Sequence, residues 1–280
     1  MSRIRRGWEL TKKSWLVLRE NPALIRFPLY GAVAAVVMAV IVVGPGLYLI
    51  DQGTNGGGVA LLIIGLYLLA LIGFYFSVGL AAAADMIFRG ERVTVGDGLA
   101  VARERFSQIA GWAAVSTIVG VILGALEREG IAGQIVARLL DIGWSLITFL
   151  AVPVIAIEGT GPIDTLKRSA TLFRSRWGQQ VTGNVAIGGA VLLLGILPAA
   201  LLIVAGVALW STTGFGGAVL VVIGAAIVAI ALLVSRALSG IFGVALYRYA
   251  HDSEPVGGFT PAELDSAVRR RRGAPAPGTI

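Results

Sequence analysis

The chain has 280 residues, of which 56% are hydrophobic and only 14% charged, with a mean hydropathy of +0.85, a balance that excludes an ordinary globular domain and points to the bilayer as solvent. Zero cysteines exclude a disulfide framework, thiolate metal sites and a cysteine nucleophile. The net charge of +7 is dispersed in short segments between apolar runs, not gathered on one basic face, so nucleic acid is not expected as a partner.

The first 28 residues form a basic arm in which Ile4, Trp8, Thr11, Trp15 and Leu18 recur at helical spacing, flanked by Lys12 and Lys13. The pattern predicts an amphipathic helix lying in the membrane interface with its cations toward headgroups. No short apolar run with a cleavage site precedes the first long one, so a cleaved signal peptide is not expected. Asn21 before Pro22 predicts an N-cap and a first-turn proline.

Six segments then reach, or come close to, the ~20 apolar residues that a helix needs to cross the hydrocarbon layer. They are Leu29 to Ile50, Val59 to Phe88, Ile109 to Leu126, Ile142 to Ile157, Val181 to Trp210 and Ala218 to Tyr249. The fourth is short unless Ile131 to Leu140 continues it through Arg138 and Asp141, which would then share a face and could pair. Pro45, Pro153 and Pro198 are expected to bend or end their helices. The alternative is a water-soluble helical protein, which would have to enclose Val59 to Ala84, a run without an ionisable residue, on every side.

Two further basic stretches, 95–110 and 162–178, precede the third and fifth apolar segments. Ile163, Leu166, Ala170, Phe173 and Trp177 repeat the first arm's spacing, and Leu99, Ala102, Phe106 and Ile109 do so more weakly. Lys12-Lys13-Ser14 with Leu18-Arg19 matches Lys167-Arg168-Ser169 with Phe173-Arg174, while Asp97, Leu99, Phe106 and Gly111 match Asp164, Leu166, Phe173 and Gly178 at a constant offset. The expected fold is therefore an all-α polytopic membrane protein: six transmembrane helices arranged as three hairpins within residues 29–251, each preceded by an interfacial amphipathic helix. Chance similarity among basic, apolar segments is the alternative. Residues 252–280 read as a tail in which Thr260, Pro261 and Glu263 open a short helix ending near Arg272, followed by a Gly/Pro-rich end.

Lysine and arginine crowd the linkers after spans two and four, the arm and the tail, whereas the other linkers hold one arginine between them. By the positive-inside rule both termini are expected in the cytoplasm. The arginine-dominated, Ala/Gly/Val-rich composition is compatible with a GC-rich bacterial genome and so with a prokaryotic plasma membrane.

Small residues four apart mark contact faces between helices in lipid: Gly73, Ser77 and Ala81; Gly120 and Gly124; Ala231, Ser235, Ser239 and Gly243. Beside the last stands Arg236, a charge within a long apolar run, with Asp85 and Glu158 as possible counter-charges. Arg236, Ser235, Ser239, Asp85 and Glu158 thus form a candidate cytoplasm-facing pocket for a phosphate-bearing, anionic lipid headgroup, against the simpler reading of snorkelling or an internal ion pair. Trp8, Lys12, Lys13, Trp15, Arg103, Arg105, Lys167, Arg168, Arg174 and Trp177 are the candidate interfacial lipid contacts. His251 stands alone, which excludes a His-based triad and a two-His metal site, and Gly56-Gly57-Gly58 lacks the lysine of a phosphate loop. No catalytic residue, metal or cofactor is implied.

Asn21-Pro22 with Phe27-Pro28, Trp144 to Phe149 with Pro153 and Glu158-Gly159, Lys167-Arg168-Ser169 with Trp177-Gly178, and Tyr247-Arg248-Tyr249-Ala250 together carry a family resemblance. The chain resembles uncharacterised six-span bacterial proteins similar to the membrane domain of glycerophosphodiester phosphodiesterases. The resemblance implies a helical membrane domain; the catalytic His and acidic metal ligands of the phosphodiesterases have no counterpart here, so it implies no hydrolytic activity. The expected function is a lipid-interacting or lipid-handling protein, the alternatives being a small-solute transporter and a membrane scaffold.

Overall fold

A computed structural model describes residues 3–177, 197–213, 215–252, 255–261 and 264, without the side chains of residues 3–10, 176–177, 209–213 and 215–217. Among these residues the chain is all-helical. The helices are α1 (Arg3–Glu20), α2 (Arg26–Met38), α3 (Gly44–Asp51), α4 (Asn55–Phe88), α5 (Val95–Glu104) and α6 (Phe106–Glu127). Then follow α7 (Gly130–Ile147), α8 (Ala151–Glu158), α9 (Pro162–Trp177), α10 (Leu197–Thr213) and α11 (Phe215–Asp252).

Five stretches are long and apolar enough to cross a membrane: Pro22–Asp51, Asn55–Phe88, Phe106–Glu127, Gly130–Glu158 and Ala218–Asp252. They are compatible with a multi-pass membrane protein. Of the span expected over Val181 to Trp210, the structure describes only α10; residues 178–196 lie outside the described residues, as do Glu263 and the rest of the expected tail helix. Val33, Val36, Val40 and Ile41, then Ile63, Ile64 and Leu66, Ile118 and Ile122, and Val222 and Ile230 are all exposed. Water would penalise that apolar girdle, and hydrocarbon does not. No enclosure of Val59 to Ala84 of the kind a soluble fold requires is present: before Val78 the run is exposed or half-buried except at Gly65, and continuous burial begins only at Val78.

Prolines act as expected in two places. Pro45 follows a widened helical turn over Ala39–Val43, where the missing amide donor is absorbed by a change of pitch. The fourth span does run through Arg138 and Asp141, and it breaks at Thr148–Leu150 because Pro153 cannot donate to the carbonyl of Phe149. Arg138 and Asp141 form no ion pair: both are exposed, where solvation competes with a weak contact. Asn21 does not cap the following turn either; its side-chain amide turns back and donates to Val17 O at 3.1 Å, closing the end of α1.

Burial is concentrated at one end of the bundle. There the last turns of α4 (Val78 to Asp85), α8 with Leu150, and the last four turns of α11 (Ala237 to Ala250) meet, joined by Ile109 and Trp112 of α6. α5 packs on α4, α9 on α7 and α8, and α1 on α11. Close approach is built into the first of these crossings: a Cβ on Gly98 would lie 2.5 Å from Gly79 O and 2.6 Å from the Phe27 ring. Thr94 opens α5, its hydroxyl accepting from Asp97 N at 3.4 Å while Asp97 Oδ2 accepts from Thr94 N at 2.8 Å. The bond from Thr94 N foremost, and then one from the Thr94 hydroxyl to Asp97 Oδ2 at 2.7 Å, hold the Asp97 carboxyl below its usual range.

α9 is keyed to the break in the fourth span. Ser169, fully buried, accepts a hydrogen bond from Leu150 N at 3.1 Å, replacing the acceptor that the broken helix no longer offers. The register repeats that of the α4/α5 crossing, since Gly79 and Gly98 are separated along the chain by the same nineteen residues as Leu150 and Ser169. Ser14, Val17 and Leu18 of α1 are buried, and so are Ser169, Leu172 and Phe173 at the matching positions of α9. The faces expected to lie in the interface are thus split: Trp15 and Ile163 are exposed, whereas Leu18 and Phe173 are buried beside small hydroxyl residues that admit close packing. Among the described residues Ser14 Oγ finds no partner: α11, on which α1 packs, is continuous and frees no amide there. Ser169→Ala is therefore expected to cost about 1–3 kcal/mol by stranding the Leu150 amide, whereas Ser14→Ala should be neutral or stabilising. Thermal unfolding of the two variants in detergent checks the contrast.

Candidate functional site

Two ionic clusters fasten the helix ends together, and consecutive residues of α11 serve both. Arg248 Nε donates to Asp85 Oδ1 at 2.7 Å, and Arg89, one turn beyond Asp85 on α4, approaches Oδ2 at 3.3 Å. Asp85 is only 5% exposed, so these two guanidiniums supply nearly all the compensation its charge receives. Tyr247, the preceding residue, donates its hydroxyl to Glu158 Oε1 at 2.7 Å. Arg168 of α9 completes that cluster, its Nε lying 2.8 Å and 3.0 Å from the two Glu158 oxygens. The carboxylate pushes the Arg168 pKa further above its already high value, so this guanidinium is permanently charged.

Beside the second cluster, where α8 turns into α9, a groove of about 300 Å³ is lined by Glu158, Thr160, Asp164, Lys167, Arg168 and Thr171. The turn depends on Gly159, which adopts φ +65°, and a Cβ there would lie 2.4 Å from the Arg105 guanidinium. Pro162 starts α9 with its ring against Gly111. The groove's hydroxyls are occupied within the chain: Thr160 and Thr165 share a hydrogen bond of 2.7 Å, and Thr171 donates to Lys167 O at 2.8 Å. Its charges are freer. Lys167 Nζ is 4.0 Å from Asp164 Oδ1, both side chains being largely exposed, and the terminal nitrogens of Arg168 have no partner among the described residues.

The pocket expected around Arg236 does not assemble. Asp85 and Glu158 are each claimed by another arginine, and Arg236 is exposed on α11 without an ion pair, as is Ser239; Ser235 is half-buried and lies beside them on the helix, not in a cavity. Gly73, Gly120 and Gly124 meet no neighbouring atom among the described residues, and of the first stripe only Ala81 is buried. Of the expected interfacial residues, Lys12, Trp15, Arg103, Lys167 and Arg174 are exposed. Lys13 Nζ donates to Gly258 O of the tail at 2.7 Å, Arg105 lies half-buried on Gly159, and Arg168 is engaged with Glu158. The side chains of Trp8 and Trp177 lie outside the described residues. No group of three His, Asp or Glu side chains that could hold a metal exists among the described residues. Tyr247 and Arg248 were not singled out as site residues by charge or spacing; their signal is distance from the helix end, since Asp85 and Arg248 stand within the last turn or so of α4 and α11.

A family of unknown function, DUF6159, has a family model that matches residues 55–258, and the chain belongs to it. The match contains both ionic clusters and the groove, and it carries no link to glycerophosphodiester phosphodiesterases. Neither a curated protein nor a solved structure matches the chain.

Proposed function

We propose that this family member is a lipid-binding protein of the prokaryotic cytoplasmic membrane. It would cross the bilayer six times as three hairpins with both termini in the cytoplasm, and hold a phospholipid headgroup in the α9 groove. The observation that carries the reading is the pair Lys167 and Arg168, whose charges are only partly engaged by Asp164 and Glu158, in a groove at the end of the bundle where the basic segments gather.

Helix length supports the placement. Phe215 to Ser235 is a run without an ionisable residue, about 31 Å long at ~1.5 Å per residue, close to the ~30 Å of a hydrocarbon core. An exposed Arg236 follows that run, and the buried end of the bundle begins one residue later in α11 and at Val78 in α4. α1, α5 and α9 flank the helix ends there, with Trp15, Phe106 and Ile163 as exposed apolar residues for the interface.

A transporter would use the break in the fourth span, where the freed Leu150 amide is already taken by Ser169. The lipid reading is tested by native mass spectrometry of the full chain extracted in mild detergent. Wild type should retain phospholipid, and Lys167→Ala, at a largely exposed position outside both ionic clusters, should retain several-fold less with unchanged helicity. Equal retention by the two proteins would reject the groove as the site.

A further inference from the structure

We infer that the α9 groove selects a phospholipid whose headgroup carries a primary ammonium beside its phosphate, an assignment that rests on the lipid-binding reading above. The argument is the sign and availability of each charge lining the groove. Glu158 is satisfied by Arg168 Nε and the Tyr247 hydroxyl, so it offers a ligand little. What remains is cationic at the Arg168 terminal nitrogens and Lys167, and anionic at Asp164, whose closest cation stands at 4.0 Å. Asp164 and Arg168 are four apart on α9 and therefore neighbours on one face. The phosphate takes the guanidinium, and a two-carbon tether carries the ammonium back to the carboxylate.

A headgroup that is only anionic, such as phosphatidylglycerol, leaves Asp164 with only its 4.0 Å contact to Lys167 and brings a second negative charge beside it. A choline headgroup has no N–H to donate and is recognised by aromatic faces, and none of the six lining residues is aromatic. The anionic lipids expected from the sequence retain a place at the exposed cations of α1 and α9, Lys12, Arg19 and Arg174, as a diffuse attraction and not in the groove.

The test offers the delipidated full chain equal amounts of phosphatidylethanolamine, phosphatidylglycerol and phosphatidylcholine with identical acyl chains, and reads bound species by native mass spectrometry. Phosphatidylethanolamine should be retained several-fold over both others. Asp164→Asn, an exposed first-turn change that spares the fold, should abolish the preference over phosphatidylcholine. Phosphatidylglycerol bound as well as phosphatidylethanolamine, or a preference that survives Asp164→Asn, would overturn the inference while leaving lipid binding intact. Failure to bind any of the three would sink the lipid reading itself. Free O-phosphoethanolamine bound as tightly as the lipid would overturn the assignment to a membrane lipid.

Discussion

Asp85→Asn is expected to destabilise the protein by about 3 kcal/mol, because it leaves Arg248, whose side chain is only 20% exposed, facing a neutral amide. The guanidinium cannot escape by deprotonation, and the carboxylate that still acts on it, Asp252 one turn further along α11, is exposed. Arg89 does not rescue the variant, since it too loses a carboxylate. The same physics sets a second outcome. Replacing both partners with apolar residues, Asp85→Leu with Arg248→Leu, removes the charge along with its need, so the double variant should be more stable than Asp85→Asn alone. Equilibrium unfolding in detergent followed by circular dichroism reads both. An Asp85→Asn protein as stable as wild type would show that the link between α4 and α11 contributes nothing.

The spans were legible because hydrocarbon imposes one rule on length and apolarity, which Val59 to Phe88 and Ala218 to Tyr249 satisfy at all but Asp85, Arg236 and Arg248. The interruption of the fourth span was legible as Pro153, but not its consequence, since nothing in the local sequence says that a serine nineteen residues later supplies the missing acceptor. Among the charges, Asp85 and Glu158 were recognisable as counter-charges, whereas the cations they pair with were not. Arg236 attracted attention by its apolar surroundings, yet Arg236 and Arg248 are about 18 Å apart along α11, and only the latter is level with Asp85. Burial of an arginine within a bundle depends on which helix ends meet, a long-range fact. The amphipathic helices show the same limit: large residues announce the face, but Ser14 and Ser169 make the tight contact, and their signal was the matched Lys/Arg-Ser pair and not hydrophobicity.

The second large effect is an all-or-none accessibility pattern. The chain has no cysteine, so each introduced one reports alone. Gln52 follows α3 and Arg92 follows α4, both exposed and at opposite ends of a helix of 34 residues, about 51 Å long. A hydrocarbon layer of ~30 Å fits between them, and the arginine-rich side should be the one retained in the cytoplasm. In intact bacterial cells a membrane-impermeant maleimide should label Gln52→Cys and leave Arg92→Cys untouched until the membrane is permeabilised. Labelling of Arg92→Cys in intact cells would place the ionic clusters and the α9 groove outside the cytoplasm and contradict the account.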